Sequence, residues 1–308
     1  MNNKNLAPIV LFVFNRPWHT LKTLEALSKN KLADHSELFV YCDGPKNNSS
    51  EAELVNISEV RQIVQQKKWC EKVNVIISDT NKGLSSSVIN GVTEIVNRFG
   101  RIIVLEDDLV TSPWFLTFMN EGLEMYSSNQ NIYSINGYMF DIDFKTKFDT
   151  FLCPWATTSW GWSTWSESWA CLTSDLKYKD IIQNNDFLSK RFNLGDYDYC
   201  SMLNNNNSWA IKWYYSVFLK NGLGVFPTDT LVQNIGFDGS GVHKDDFLNK
   251  IVLRDLDHEN LLKNDIKVNI DIEKYSLLLN FFKKKRSYIE EDKSLLKKFI
   301  NLIKFKYE

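Results

Sequence analysis

Buried-strand and amphipathic-helix patterns alternate along the first hundred residues. Four short apolar runs predict strands buried on both faces, because such strands are continuously hydrophobic. The runs cover residues 9–14, 38–41, 73–77 and 102–105. Three stretches with apolar residues at helical spacing separate them, and Pro17 opens the first. This order predicts an α/β fold with a mostly parallel central sheet and helices on both faces.

The rest of the chain is less regular. Residues 151–170 contain five tryptophans and fit neither the strand period nor the helix period. A helix is predicted through Trp209, Trp213 and Val217, and a short strand and a glycine-rich loop follow it. We expect one domain over residues 1–250 and a C-terminal helical, basic extension over 251–308.

Each predicted strand ends in polar residues. In open α/β sheets, ligands bind beyond the carboxyl ends of the strands. The four ends are therefore expected to meet in one crevice. They read Asn15-Arg16, Asp43-Gly44, Asp79 with Asn81, and Glu106-Asp107-Asp108.

The acids Glu106, Asp107 and Asp108 directly follow the fourth predicted strand. Clustered carboxylates repel one another, and a divalent cation would supply the missing positive charge. Oxygen ligands suit Mg²⁺ or Mn²⁺. The alternative is an acidic loop at a helix start. His243 follows a glycine-rich loop and is either a further ligand for Mn²⁺ or an exposed loop residue.

The other strand ends each allow two interpretations. Asp43 could accept hydrogen bonds from a ribose hydroxyl or a base N–H, or could form an Asx turn. Arg16, beside Asn15, could bind phosphate or lie at a solvated helix start. The loop with Asp79 and Lys82 could contact a nucleobase or phosphates, or could be a plain loop.

Composition narrows the function classes. The formal net charge of the 308 residues is −2, so the chain lacks the net positive charge that is typical of nucleic-acid-binding proteins. The five cysteines are odd in number and lack CxxC spacing, which favours a reducing compartment. The N-terminus lacks the charge and apolar order of a signal peptide, so we expect a cytoplasmic protein.

Four segments, in this order, resemble GT-A-fold glycosyltransferases of the family-2 type. They resemble the N-acetylglucosaminyltransferase I-like group more closely, because the acids precede a hydrophobic residue and a proline. The segments are FVFNRP (12–17), YCDGP (41–45), DTNKGLSSSVINGV (79–92) and VLEDDLVTSPWF (104–115). LVQNIGFDGSGVH (231–243) resembles that group's site-closing loop. SWGWSTWSESW (159–169) resembles a stretch of bacterial relatives that act in surface-polysaccharide assembly.

The resemblance implies a role for each matching residue. Asp43 would bind the nucleoside, and Glu106 would support the donor sugar or nucleotide. Asp107 and Asp108 would hold the Mn²⁺ or Mg²⁺ ion of the diphosphate, with Asp108 as the direct ligand. His243 would close over this metal.

The resemblance also implies the reaction. A sugar would pass from a nucleotide-sugar donor, first of all a UDP-sugar, to the hydroxyl of a glycan or lipid-linked glycan acceptor. Residues 1–110 would form the nucleotide-binding half and residues 111–250 the acceptor half. The basic extension could touch the inner face of an anionic membrane, or could be a helix packed on the domain.

The catalytic base departs from the family pattern. An inverting transferase needs a carboxylate that takes the proton of the acceptor hydroxyl. The related group has paired aspartates between two tryptophans, whereas Trp209 to Trp213 contains no acid here. The candidates are Asp198, Asp196, Glu167 and Asp238. Asp198 is favoured if the helix with the two tryptophans extends back towards it.

Two rival functions stay open at this stage. A sugar nucleotidyltransferase would share the sheet and the metal, but usually has a glycine-rich loop after the first strand, where this chain reads NRPWHT. A non-catalytic glycan-binding protein would use the tryptophan-rich stretch as its binding surface.

Overall fold

A computed structural model describes residues 6–154, 157–205, 207–239 and 267–283. The chain divides into two compact units. The first comprises Met1–Ser174 and Asn207–Ile270, and the second comprises Asp175–Asn206 and Asp271–Glu308. This division differs from the predicted one, because residues 175–206 fall within the expected acceptor half but belong to the second unit.

The elements follow in chain order. The strands are β1 (Ile9–Val13), β2 (Glu37–Cys42), β3 (Lys72–Ile77), β4 (Arg101–Glu106), β5 (Leu109–Thr111), β6 (Ile132–Asn136), β7 (Thr150–Cys153), β8 (Trp162–Trp165), β9 (Leu223–Pro227) and β10 (Val232–Asn234). The helices are α1 (Pro17–Ser28), α2 (Glu51–Gln65), α3 (Leu84–Phe99), α4 (Phe115–Met125), α5 (Ser166–Trp169), α6 (Lys179–Asn184), α7 (Asp186–Phe192), α8 (Tyr199–Met202), α9 (Trp209–Leu219) and α10 (272–283).

One central sheet organises the first unit. Its strand order is β3-β2-β1-β4-β8-β6-β9-β7. The strands from β3 to β4 are parallel, whereas β8 is antiparallel to both β4 and β6. β10 and β5 form a separate antiparallel pair. The predicted α/β class with a mostly parallel sheet is confirmed.

The side chains of β1 show why helices cover both faces. Successive residues of a strand point to opposite faces. Ile9, Leu11 and Val13 join the core that contains α1, α2 and α4, whereas Val10 and Phe12 join the core that contains α3 and α9. A continuous apolar run is therefore buried on both sides, as the sequence pattern predicted.

A glycine precedes the first residue of α3. The N-cap residue is Gly83, with φ at 77°. Glycine reaches this left-handed region without a steric penalty from a Cβ atom. The helix therefore begins without a side-chain hydrogen bond from its N-cap residue.

The predicted helix through Trp209, Trp213 and Val217 is confirmed as α9. It does not extend back to Asp198, because Ser208 caps it and its side chain accepts a hydrogen bond from the Ile211 N–H. Asp198 caps the separate helix α8 instead. The expectation that one helix joins Asp198 to the tryptophans is wrong, because each helix has its own capping side chain.

Two tryptophans of the tryptophan-rich stretch, Trp162 and Trp169, lie in the core, whereas Trp160 and Trp165 are half-buried. Trp162 is fully buried, and its ring lies 5.4–6.0 Å from the rings of three other tryptophans. The partners are Trp169, Trp209 and Trp213, all of them buried. Trp155 lies outside the described residues. These four indoles pack against one another and are not available to stack on a glycan.

The second unit is helical in its described part. Phe192, Leu194, Leu278 and Phe282 are buried, and the ring of Tyr197 lies 5.1 Å from that of Phe282. The predicted C-terminal helix is confirmed by α10. The remaining basic and apolar residues for which membrane contact was predicted, 284–308, lie outside the described residues. None of the described helices is both long enough and apolar enough to cross a bilayer.

Asn30 links three elements of the first unit, α1, β5 and α4. Its side-chain amide donates to the carbonyl of Ala26 in α1 and to the Thr111 hydroxyl in β5. Its carbonyl oxygen accepts from the backbone N–H of Leu116 in α4, at 2.9 Å. Asn30 is only 5% exposed, so these groups have little access to water as a substitute partner.

We predict that Asn30→Ala lowers the free energy of unfolding by about 2–4 kcal/mol, because each buried group left without a partner costs about 1–3 kcal/mol. Denaturant unfolding would measure the change. Asn90→Ala, at an exposed position of α3, is the matched control and should change stability little. Equal midpoints for the two variants would contradict the anchoring role of Asn30.

Candidate functional site

The three acids lie at the carboxyl end of the central strand β4. Glu106 is its last residue and is in register with Phe12 of β1. Asp107 and Asp108 form the turn into β5, hereafter the acid turn. The Thr23 hydroxyl of α1 donates to the Asp107 carbonyl at 2.9 Å, and the Ile235 N–H donates to the Asp108 carbonyl at 2.9 Å. Segments far apart in sequence therefore fix the backbone of this turn.

Arg16 provides the positive charge beside these acids. Its Nη1 lies 2.7 Å from Oδ2 of Asp108 and 3.6 Å from Oδ1 of Asp107. The Arg16, Asp107 and Asp108 side chains are 15%, 13% and 18% exposed. The structure thus brings together the polar ends of β1 and β4, in a place where water screens charge only partly.

The acids carry more negative charge than their surroundings balance. Burial and the neighbouring Asp108 charge raise the pKa of Asp107 to about 7, although Arg16 acts in the opposite direction. Burial and the charges of Asp108 and Asp107 raise the pKa of Glu106 well above its ordinary value. The side chain of Trp209 partly offsets this by donating a hydrogen bond to Glu106.

The segment that follows β10 packs directly on the acid turn. A Cβ atom at Gly236 would lie 2.1 Å from Oδ2 of Asp108, so a glycine is needed for this approach. The next acid, Asp238, places Oδ1 3.9 Å from Nη2 of Arg16 and Oδ2 3.1 Å from Nε2 of His19. His19 is 5% exposed. Sequence reasoning missed His19 and Gly236, because only the fold brings them to acids so distant in the chain.

Asp43 holds a neighbouring loop in place. Its carboxylate accepts from the backbone N–H groups of Gly44, Lys82 and Gly83, at 2.8–3.0 Å, and from the side-chain amide of Asn81. This is the turn-forming role of Asp43, and the same carboxylate also binds the backbone just before α3. The polar ends of β2 and β3 are thereby joined, and a nucleoside role for Asp43 stays a prediction.

Three further predicted ligands lie at the ends of these strands. The Asn15 amide donates to Oε1 of Glu53 in α2 at 3.1 Å. Asp79 and Lys82 are exposed in the loop between β3 and α3. Because β1, β2 and β3 are parallel, all three residues follow the same edge of the sheet as the acid turn. His243 lies outside the described residues.

The structure places one predicted base away from the acid turn. Glu167 follows β8, which is antiparallel to β4, and Trp165 pairs with Arg101 at the start of β4. Glu106 lies at the other end of this six-residue strand, about 15–20 Å away. Glu167 therefore lies at the opposite edge of the sheet from the three acids, and its role as a base stays a prediction. Asp196 and Asp198 are exposed in the second unit.

The acid turn suits a divalent cation that a substrate helps to bind. Within the described ranges, no group of three or more His, Cys, Asp or Glu side chains is arranged as a complete metal site. Mg²⁺, however, is usually bound through one or two carboxylates together with substrate phosphates. The oxygen-only ligands and the raised pKa of Asp107 fit such a cation, which would offset the charge that burial penalises.

No family model and no curated protein matches this chain. Its likeness to solved structures is distant. A mannosyltransferase of Pyrobaculum calidifontis, in complex with GDP-Man and Mn²⁺, is 10% identical with a TM-score of 0.30. The match covers 43% of this chain, which thus spans only 35% of that enzyme's chain.

Two further structures cover more of the chain. Mouse xyloside xylosyltransferase 1 is 13% identical with a TM-score of 0.32, over 68% of this chain and 80% of that one. A UDP-glucose pyrophosphorylase complexed with UDP-glucose is 10% identical with a TM-score of 0.37, over 72% and 90%. Scores this low do not assign the chain to a family.

We predict that Trp209→Phe destabilises the protein by about 1–2 kcal/mol more than Trp213→Phe does. Both changes remove the same ring volume from the tryptophan core, but only Trp209 donates to Glu106, and a buried acceptor left without its donor costs about 1–3 kcal/mol. The indole nitrogen of Trp213 is buried and has no hydrogen-bond partner among the described residues. Denaturant unfolding compares the pair, and equal losses would mean that the bond to Glu106 adds nothing.

Proposed function

We propose that the chain is a metal-dependent glycosyltransferase that moves a sugar from a nucleotide-sugar donor, first of all a UDP-sugar, to an acceptor hydroxyl. The acceptor would be a glycan or a lipid-linked glycan of the bacterial surface. One observation carries the proposal: Asp107 and Asp108 lie mostly buried beside Arg16 at the carboxyl end of a central parallel strand. This edge is where open α/β sheets bind nucleotides.

Asp107 and Asp108 would hold the divalent cation. When bound, the ion would neutralise charge on the departing diphosphate. Arg16 supplies a fixed guanidinium beside the same carboxylates, and its planar fork suits phosphate oxygens. Glu106, held by Trp209, would orient the donor. The residues of the acid turn and of the β1 end would thus act together on the diphosphate.

The two rival functions lack a comparable observation. The β1–α1 connection consists of Phe14, Asn15 and Arg16, with no glycine that would let a backbone loop wrap a triphosphate. Trp162 and Trp169 of the tryptophan-rich stretch are buried in the core, so among its described tryptophans only the half-buried Trp160 and Trp165 could contact a glycan.

We predict that UDP and Mn²⁺ together stabilise the protein, by about 2.7 kcal/mol when the ligand is at 100 times its dissociation constant. Asp108→Asn should lose most of this stabilisation, because it removes the proposed direct ligand. Glu59→Gln, at an exposed position of α2, is the control and should respond like the parent protein. Thermal unfolding with UDP, Mn²⁺ or both would measure the effect. No response of the folded parent protein at millimolar ligand would refute the proposed function.

A second assay separates the transferase from the nucleotidyltransferase. UDP release from a panel of UDP-sugars is expected, and Asp108→Asn should abolish it. Pyrophosphate release from a nucleoside triphosphate and a sugar 1-phosphate, without UDP release, would support the nucleotidyltransferase instead.

A further inference from the structure

A buried histidine faces a partly exposed carboxylate beside the acid turn. Nε2 of His19 lies 3.1 Å from Oδ2 of Asp238, and His19 is 5% exposed whereas the Asp238 side chain is 45% exposed. The contact is electrostatic, because Nε2 of His19 makes no hydrogen bond among the described residues. The same carboxylate lies 3.9 Å from Arg16, which contacts Asp108. We propose that Asp238 is the catalytic base that accepts the proton of the acceptor hydroxyl, and that His19 is its positioning residue. This inference rests on the proposed function.

Exposure separates Asp238 from the acids of the turn. Asp107 and Asp108 are 13% and 18% exposed and face Arg16, so an incoming acceptor has little access to them. Asp238 lies near the other terminal nitrogen of the same guanidinium and is open to solvent over nearly half of its side chain. A base must come within hydrogen-bond reach of the hydroxyl that it deprotonates. Asp238 combines this access with closeness to the proposed diphosphate site.

The surroundings of His19 suit a positioning role. Burial, as the main cause, and the charge of Arg16 lower the pKa of His19, while the charges of Asp238 and Asp108 and a hydrogen bond with the Ile235 backbone act in the opposite direction. A neutral ring can orient a carboxylate without cancelling its charge. The rings of His19 and Trp18 meet edge to face, with their centroids 4.8 Å apart, and this contact restricts the rotation of the His19 ring.

The proposed step balances in atoms and electrons. The acceptor oxygen forms a bond to the anomeric carbon of the donor sugar while its proton moves to the Asp238 carboxylate. The bond between the anomeric carbon and the diphosphate oxygen breaks, and its electron pair leaves with UDP. Asp238 later returns the proton to water. A direct displacement of this kind inverts the anomeric configuration.

The test uses the full chain and two readouts. One is the rate of UDP release from a panel of UDP-sugars with water as the acceptor, and the other is thermal stabilisation by UDP and Mn²⁺. Asp238→Asn should lower the maximal rate at least 100-fold, within the usual range for removal of a general base, and should keep the stabilisation. Asp180→Asn, at an exposed position of α6, should match the parent protein in both.

His19 is tested by rescue. His19→Ala should lower the maximal rate and leave the KM for the UDP-sugar unchanged. His19→Gln keeps an N–H that can reach Asp238 and should recover part of the rate. Equal rates for the two variants would mean that an N–H at position 19 does not help, and would overturn the positioning role of His19.

The outcomes separate this inference from the proposed function. If the parent protein neither binds UDP with Mn²⁺ nor releases UDP, both fail. If the parent protein is active and Asp238→Asn retains a similar rate, the base assignment alone is wrong. Loss of UDP and Mn²⁺ stabilisation in Asp238→Asn would also overturn it, by making Asp238 a donor-binding residue. Should Asp238→Asn not fold, Asp238→Glu and Asp238→Ser replace it, and only the former should keep activity.

Discussion

The contact between Arg16 and Asp108 organises the candidate site. Three consecutive acids at one strand end would repel one another strongly in a place with little water. The guanidinium at 2.7 Å offsets part of this repulsion, and it comes from the end of the neighbouring strand β1. Burial, together with the neighbouring carboxylate charges, raises the pKa of Asp107 and Glu106. A bound divalent cation would offset the negative charge that burial penalises at this strand end.

The segment from Asn234 to Gly239 packs against that contact. β10 pairs with β5, immediately after the acid turn, and this pairing delivers Gly236 to the Asp108 carboxylate. It also sets Asp238 beside Arg16 and His19. A side chain larger than hydrogen at position 236 would push the segment away from the turn. The pairing of β10 with β5 thus positions Asp238, an acid from late in the chain, beside the ends of β1 and β4.

The loop after β3 is organised differently. Asp43 uses its carboxylate on the backbone of residues 82 and 83 and on Asn81, and so fixes the start of α3. The geometry of that loop is thus set before any ligand arrives. Preorganisation of this kind lowers the entropic cost of binding. In the core that contains α3 and α9, the buried tryptophans give α9 a rigid attachment, from which Trp209 reaches Glu106.

Hydrophobic patterning by itself determined the first four strands, the helices between them and the parallel order of the sheet. Those features follow from local periodicity, and continuous apolar runs have few alternatives to a doubly covered strand. The sequence also located the acids at a strand end, since the run of residues 102–105 stops at Glu106. Tertiary structure alone decided which polar ends touch. It joined Arg16 to Asp108, placed Glu167 at the opposite edge, and set His19 against Asp238. These contacts depend on strand direction and on the pairing of distant segments, which no local pattern of residues specifies.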